Sequence, residues 1–150
     1  TYGPRMLIRH NRQTALGWLI RLAVEGKTIE LFGDGEQRRD FTYVDDAVEA
    51  LLLAATQPAA IGEVFNLGGD PVPLRHAVEL LVELAASPGG FRLVPFPPER
   101  KAIDIGDVYT DYGKIARTLG WQPRITLRDG LARAVAFYQQ HWDHYTNEDA

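Results

Sequence analysis

Short strand-like runs alternate with helical-period segments along this chain, and that alternation narrows the fold more than any other feature. Thr28–Phe32, Glu63–Leu67 and Phe91–Val94 are four- to five-residue runs that read as strands. Helical spacing fills the gaps between them. Leu16, Leu19, Ile20 and Ala23 predict a helix over residues 13–25 that stops at Gly26. Phe41–Val44 reads as a further extended piece. Asp45 can cap a helix to about Thr56, with Val48, Leu51, Leu52 and Ala55 as its buried stripe. A third helix spans Leu74–Ala86, with Leu80, Leu81 and Leu84 in the core, and ends at Ser87-Pro-Gly-Gly90. Residues 99–110 lack periodicity and read as a loop. Asp111 can cap a short helix to Leu119, and a last amphipathic helix covers Leu127–Trp142. The expected product is one small mixed α/β domain over residues 1–150, without repeats or linkers.

Composition excludes several functions. Sixteen basic against 20 acidic residues give a net charge of −4, which argues against nucleic acid as a partner. The longest apolar run, Ala50–Ala55, falls far below the roughly 18 residues of a membrane span. Cysteine is absent, so there is neither disulfide nor thiolate chemistry, and a reducing cytoplasm suits the chain. His141 and His144 have metal-ligand spacing but no third ligand, so no metal is expected. The chain starts at Thr1, its only methionine is Met6, and it reads as a piece of a longer protein.

The richest stretch for chemistry is Gly33-Asp-Gly-Glu-Gln-Arg-Arg-Asp-Phe-Thr-Tyr-Val-Asp-Asp46. Two glycines permit a tight turn after a strand, and two arginines follow. A guanidinium fork matches phosphate geometry, and the neighbouring aspartate could hold it in place. Taken alone, the same residues also describe a solvated hairpin with surface charges.

This stretch resembles the G-D-G-x-Q-x-R-D-F/W-x-Y-V-x-D segment of the extended short-chain dehydrogenase/reductases. These include UDP-glucose 4-epimerase and dTDP-glucose 4,6-dehydratase. Thr1-Tyr-Gly-Pro-Arg5 is similar to the family's N-x-Y-G-P segment, and Glu63-Val-Phe-Asn-Leu-Gly-Gly69 to its Y/F-N-I/L-G-G strand. Asp111, Lys114 and Leu119–Pro123 follow its D-x-x-K-x-x-x-x-L-G-W-x-P. Four segments in the family's order cover nearly the whole chain. The resemblance implies the carboxyl-terminal, substrate-binding portion of a Rossmann-type NAD-dependent epimerase or dehydratase. Its ligand would be a nucleotide-diphosphate sugar. The parent would be a homodimer whose amino-terminal half binds NAD.

Carried over by motif position, Arg39 implies the diphosphate contact and Asn66 a contact at the nucleotide site. Glu30 and Phe32 match positions flanking the base. Phe32 fits core packing as well, Asn66 a strand-end turn, and Arg38 a plain surface charge. The family's R-P-G-D/H segment is altered to Lys101-Ala-Ile-Asp104. Either Lys101 still pairs with phosphate, or Arg100 takes over, or a different substrate is read here.

The cofactor-binding G-x-x-G-x-x-G turn and the catalytic Tyr-x-x-x-Lys of this family are both missing. None of the six tyrosines has lysine four residues on. Neither catalytic nor cofactor-binding residues are therefore expected within the 150. The expected role is to grip the nucleotide diphosphate while other parts perform hydride transfer. The alternative is a nucleotide-binding or regulatory module that kept the fold without catalysis.

Overall fold

The computed structural model describes residues 1–10 and 14–146. Helix α1 (Ala15–Val24) buries Leu16, Leu19, Ile20 and Ala23, the expected stripe. The expected start at Gln13 lies outside the described residues. Strand β1 (Ile29–Phe32) turns Ile29 and Leu31 into the core, while Glu30 and Phe32 face the other way. It pairs in parallel with β4 (Phe91–Val94), Ile29 opposite Phe91 and Phe32 opposite Val94. Helix α3 (Leu74–Leu84) and helix α6 (Leu127–Gln140) pack on α1 and on each other. Leu80 and Leu81 are buried in this core and Leu84 is half-buried, as their spacing predicts.

Two very short strands went unread in the sequence. Strand β2 (Arg38–Arg39) pairs antiparallel with β3 (Val72–Pro73). Conversely, Glu63–Leu67 forms no strand, because no described strand lies beside it. Its side chains still alternate: Phe65 and Leu67 pack inward while Val64 is 78% exposed. Within Phe41–Val44, Tyr43 makes an isolated parallel bridge to Tyr2. The expected loop 99–110 holds a one-turn helix α4 (Pro98–Lys101), seeded by Pro98 at its first position. Its far end returns to β2 through a bridge between Arg39 and Val108.

Helix α2 (Val44–Thr56) is rotated relative to expectation. Asp46, Ala47 and Ala50 are buried, whereas Val48, Leu51 and Leu52 are 47%, 66% and 61% exposed and Ala55 is exposed too. Asp45 does not cap the helix; Asp46 explains the rotation. Its buried carboxylate accepts the backbone N–H groups of Arg124 and Ile125 at 3.1 and 3.0 Å. The Trp121 indole N–H donates to the Asp46 carbonyl at 2.8 Å. Val48 sits about 200° around the helix from Asp46, hence on the opposite face. A second core forms beneath this clamp from Ala50, Ile115, Leu119 and Trp121, with helix α5 (Gly113–Leu119) supplying two of the four.

Helix ends follow local chemistry. Thr126 caps α6 by accepting the Asp129 N–H at 3.1 Å and donating to its carboxylate at 2.8 Å. The Asp111 carboxylate accepts the Gly113 N–H at 2.7 Å, at the start of α5. The last helix is split: α6 stops at Gln140 and helix α7 (Trp142–Thr146) follows. Helices α1 and α3 close with the same six-to-one motif, Lys27 N–H to Leu22 and Ser87 N–H to Val82. In α1 the left-handed position is Gly26 (φ 68°); in α3 it is Ala86 (φ 48°). A left-handed alanine costs about 1–2 kcal/mol, partly offset by the unfolded-state entropy that glycine adds.

Two stability predictions follow from these contacts. Ala86→Gly should raise stability by about 0.5–1 kcal/mol in urea unfolding. An unchanged or lower midpoint would mean that position 86 is not strained. Asp46→Ala orphans two backbone donors and should cost roughly 3 kcal/mol. A loss under about 0.5 kcal/mol would show that the carboxylate is not holding the turn.

Candidate functional site

β1 and β4 run parallel and end side by side, at Phe32 and Val94. Ligands of open parallel sheets bind beyond the carboxyl ends of strands. Here Gly33 and Gly35, at φ 71° and 75°, turn the chain sharply away. The Gly33 N–H donates to the Val94 carbonyl at 2.9 Å, which ties the turn to the end of β4. Phe32 and Phe96 meet over this junction, rings 5.4 Å apart and tilted by 42°. They line one cavity with Gln37, Lys101, Asp104 and Gly106.

After the turn the chain enters β2, where backbone bonds fix both arginines. The Arg38 N–H donates to the Asp107 carboxylate at 2.8 Å, and the Val108 N–H donates to the Arg38 carbonyl at 3.0 Å. Arg38 is exposed, and its guanidinium donates to the Pro71 carbonyl at 2.5 Å. Arg39 is half-buried between Val72 on one side and Val108 on the other. Its Nη1 donates to the carbonyls of Arg38 and Gly106 at 2.7 and 2.6 Å. Gly106 also lines the aromatic cavity, so Arg39 is anchored to the rim of that cavity. Among the described residues no carboxylate forms an ion pair with Arg39. Asp40, expected to hold a guanidinium, instead accepts the Thr110 N–H at 3.1 Å. Among the described residues the Arg39 charge is left without a counter-ion.

The other expected residues divide. Phe32 and Lys101 share the cavity. The Lys101 ammonium pairs with Asp104 at 3.1 Å and lies 4.9 Å over the Phe96 ring. Arg100 is exposed on the neighbouring turn and makes no ion pair among the described residues. Glu30 shares the outward face of β1 with Phe32, but its carboxylate is held by Arg92 across the strand pair. Asn66 is exposed, two residues before Gly68. Gly68 lies against Asp40 and Thr110, so it brings the 66–68 segment beside β2. Sequence reasoning missed Phe96 and Gln37. An aromatic residue among three prolines, Pro95-Phe-Pro-Pro98, was the available signal for Phe96.

With this geometry in place, kinship can be read. Residues 1–68 match the model of the NAD dependent epimerase/dehydratase family. The chain is 36% identical over 130 residues to the dTDP-glucose 4,6-dehydratase of Haemophilus influenzae, covering 80% of this chain and 38% of that protein. It is 33% identical over 142 residues to the UDP-glucose 4-epimerase of Mycolicibacterium smegmatis, covering 92% and 42%. Over most of its length the chain is similar to NAD-dependent epimerases and dehydratases. The UDP-glucose 4-epimerase of Thermotoga maritima, solved with UDP-glucose, superposes with a TM-score of 0.78 at 29% identity, over 94% of this chain and 44% of that one. The mixed α/β fold is that of the carboxyl-terminal portion of these longer proteins. The chain spans about 40% of the length of the curated relatives it matches.

The glycine turn after β1 leads into strand β2, so no helix amino terminus receives a pyrophosphate there. Burial raises the pKa of Tyr2, Tyr43 and Tyr138, opposite to what proton abstraction requires. No described helix is long and apolar enough to cross a membrane, and no group of described residues could hold a metal ion.

A methyl group at Gly68 would stand 2.8 Å from the Thr110 carbonyl and 2.7 Å from the Asp40 carboxylate. Gly68→Ala should therefore part these segments and cost about 1–3 kcal/mol in thermal unfolding. A wild-type melting temperature would show that the packing beside β2 is loose.

Proposed function

We propose that this chain is the nucleotide-sugar grip of an NAD-dependent epimerase or dehydratase. Arg39 binds the diphosphate, and Phe32 packs against the base. The observation that carries this is the Arg39 guanidinium. It is half-buried, held at one nitrogen by two carbonyls and unpaired with any described carboxylate. A guanidinium in that state is preorganised for a bidentate anion through its remaining donors.

The neighbouring groups support the same reading. The aromatic rings share their cavity with Gly106, whose carbonyl accepts from Arg39, so an apolar surface and a cation lie near one another. Lys101 lines the cavity and supplies a second cation once released from Asp104, while Arg100 points into solvent-exposed surface. Asn66 would approach from the Gly68 side. Relatives named for two different reactions, a dehydratase and an epimerase, share this portion at similar identity. The substrates in these two names have in common a nucleoside diphosphate joined to glucose. Binding energy from that unreacting part can orient the sugar for chemistry performed elsewhere in a longer chain. NAD and the proton-abstracting tyrosine would come from that remainder.

Titration calorimetry with UDP-glucose and dTDP-glucose tests the assignment. Arg39→Ala should weaken binding by about 10- to 100-fold, the worth of a charge-assisted bond. Equal affinity in both proteins would remove Arg39 from the site.

A further inference from the structure

We infer that Phe96 is a second aromatic contact for the nucleobase, set against Phe32 at the joint end of β1 and β4. This rests on the nucleotide-grip reading above and adds to it a residue outside every matched motif. Phe96 follows β4 by two residues and is half-buried, so its position is set by the strand pair rather than by a free loop. Prolines at 95, 97 and 98 flank it and restrict the backbone on both sides. Gly33 lies against its ring edge, where an added methyl would stand 3.5 Å away. The tilt of 42° to Phe32 makes an open angle of two apolar surfaces rather than a closed stack.

The ring already attracts a partner. The Lys101 ammonium sits 4.9 Å over it while bonded to Asp104. At an exposed position this cation–π contact is weak, and a planar base can take its place on the ring. Lys101 lines the same cavity as Gly106, whose carbonyl accepts from Arg39, so a displaced ammonium remains available to the phosphates. Base stacking and phosphate pairing are thereby coupled through Lys101, and a ligand lacking a base gains nothing from Phe96.

The test compares UDP and dTDP with inorganic pyrophosphate as a probe without a base. Calorimetry is run on the 150-residue chain and on its Phe96→Ala, Phe96→Tyr and Arg39→Ala variants, each checked for folding by circular dichroism. Phe96→Ala should weaken both nucleotides at least about fivefold, leave pyrophosphate unchanged and be rescued by Phe96→Tyr. Unchanged nucleotide affinity in folded Phe96→Ala would overturn the inference, even while Arg39→Ala weakened all three ligands. Equal loss of pyrophosphate and nucleotide would also overturn it, by showing that Phe96 merely shapes the loop. A wild-type chain that binds none of the three would sink the grip reading itself, and this inference with it.

Discussion

The Asp46 carboxylate governs how the halves of this chain meet. It is buried, and it satisfies two consecutive backbone donors at Arg124 and Ile125, 78 and 79 residues away. The Trp121 indole bonds the carbonyl of the same residue. One aspartate thus sets the rotation of α2, the path of the turn after α5 and the start of α6. Each bond to an ionised acceptor is worth more than a neutral one, and an uncompensated buried carboxylate would be intolerable. Both requirements are met only in this arrangement. Next to it, Gly130 of α6 has no room for a side chain, because Tyr2 and Tyr43 fill the space. The clamp and this close contact draw the first residues, α2 and α6 together.

The candidate site depends on a weaker kind of order. β2 is only two residues long, yet it is bonded on both sides, by β3 and by Val108. Backbone pairing fixes Arg39 where side-chain packing could not, since its immediate neighbours in sequence are charged. The other half of the site, Phe32 and Phe96, sits at the ends of a parallel pair that is itself part of the main core. Gly106 belongs to both halves, lining the cavity and accepting from Arg39. A change in the path of residues 104–108 would therefore move the cation and the cavity wall together.

Much of this was legible from sequence. The stripes of α1 and α3, the stop at Gly26, the Gly33–Gly35 turn and the start of α6 rest on local rules, and these held. The misses came from non-local terms. Nothing local marks Arg38–Arg39 as a strand, because its partners lie 33 to 69 residues away. Phe96 was unread because prolines hide a strand exit as a generic loop. The resemblance singled out Arg39, Phe32 and Lys101 as candidates, but only geometry shows that Phe32 and Lys101 share a cavity while Glu30 is tied to Arg92.

The rotation of α2 and the missing strand at Glu63–Leu67 have one physical root. A hydrophobic stripe records that a face is suited to burial, and alternation records that a segment is suited to a sheet. Neither names the surface that does the covering. On α2 two apolar faces compete, and Asp46 decides for the one bearing Ala47 and Ala50, leaving Val48, Leu51 and Leu52 outward. On 63–67 the inward side chains pack, but a strand also needs a neighbour for its backbone, and none of the described strands reaches it. Val64 and Ile61, at 78% and 83% exposure, remain outward as well. The sequence patterns on these segments were therefore sound as statements of local capacity; they erred in taking a suited face for a covered one.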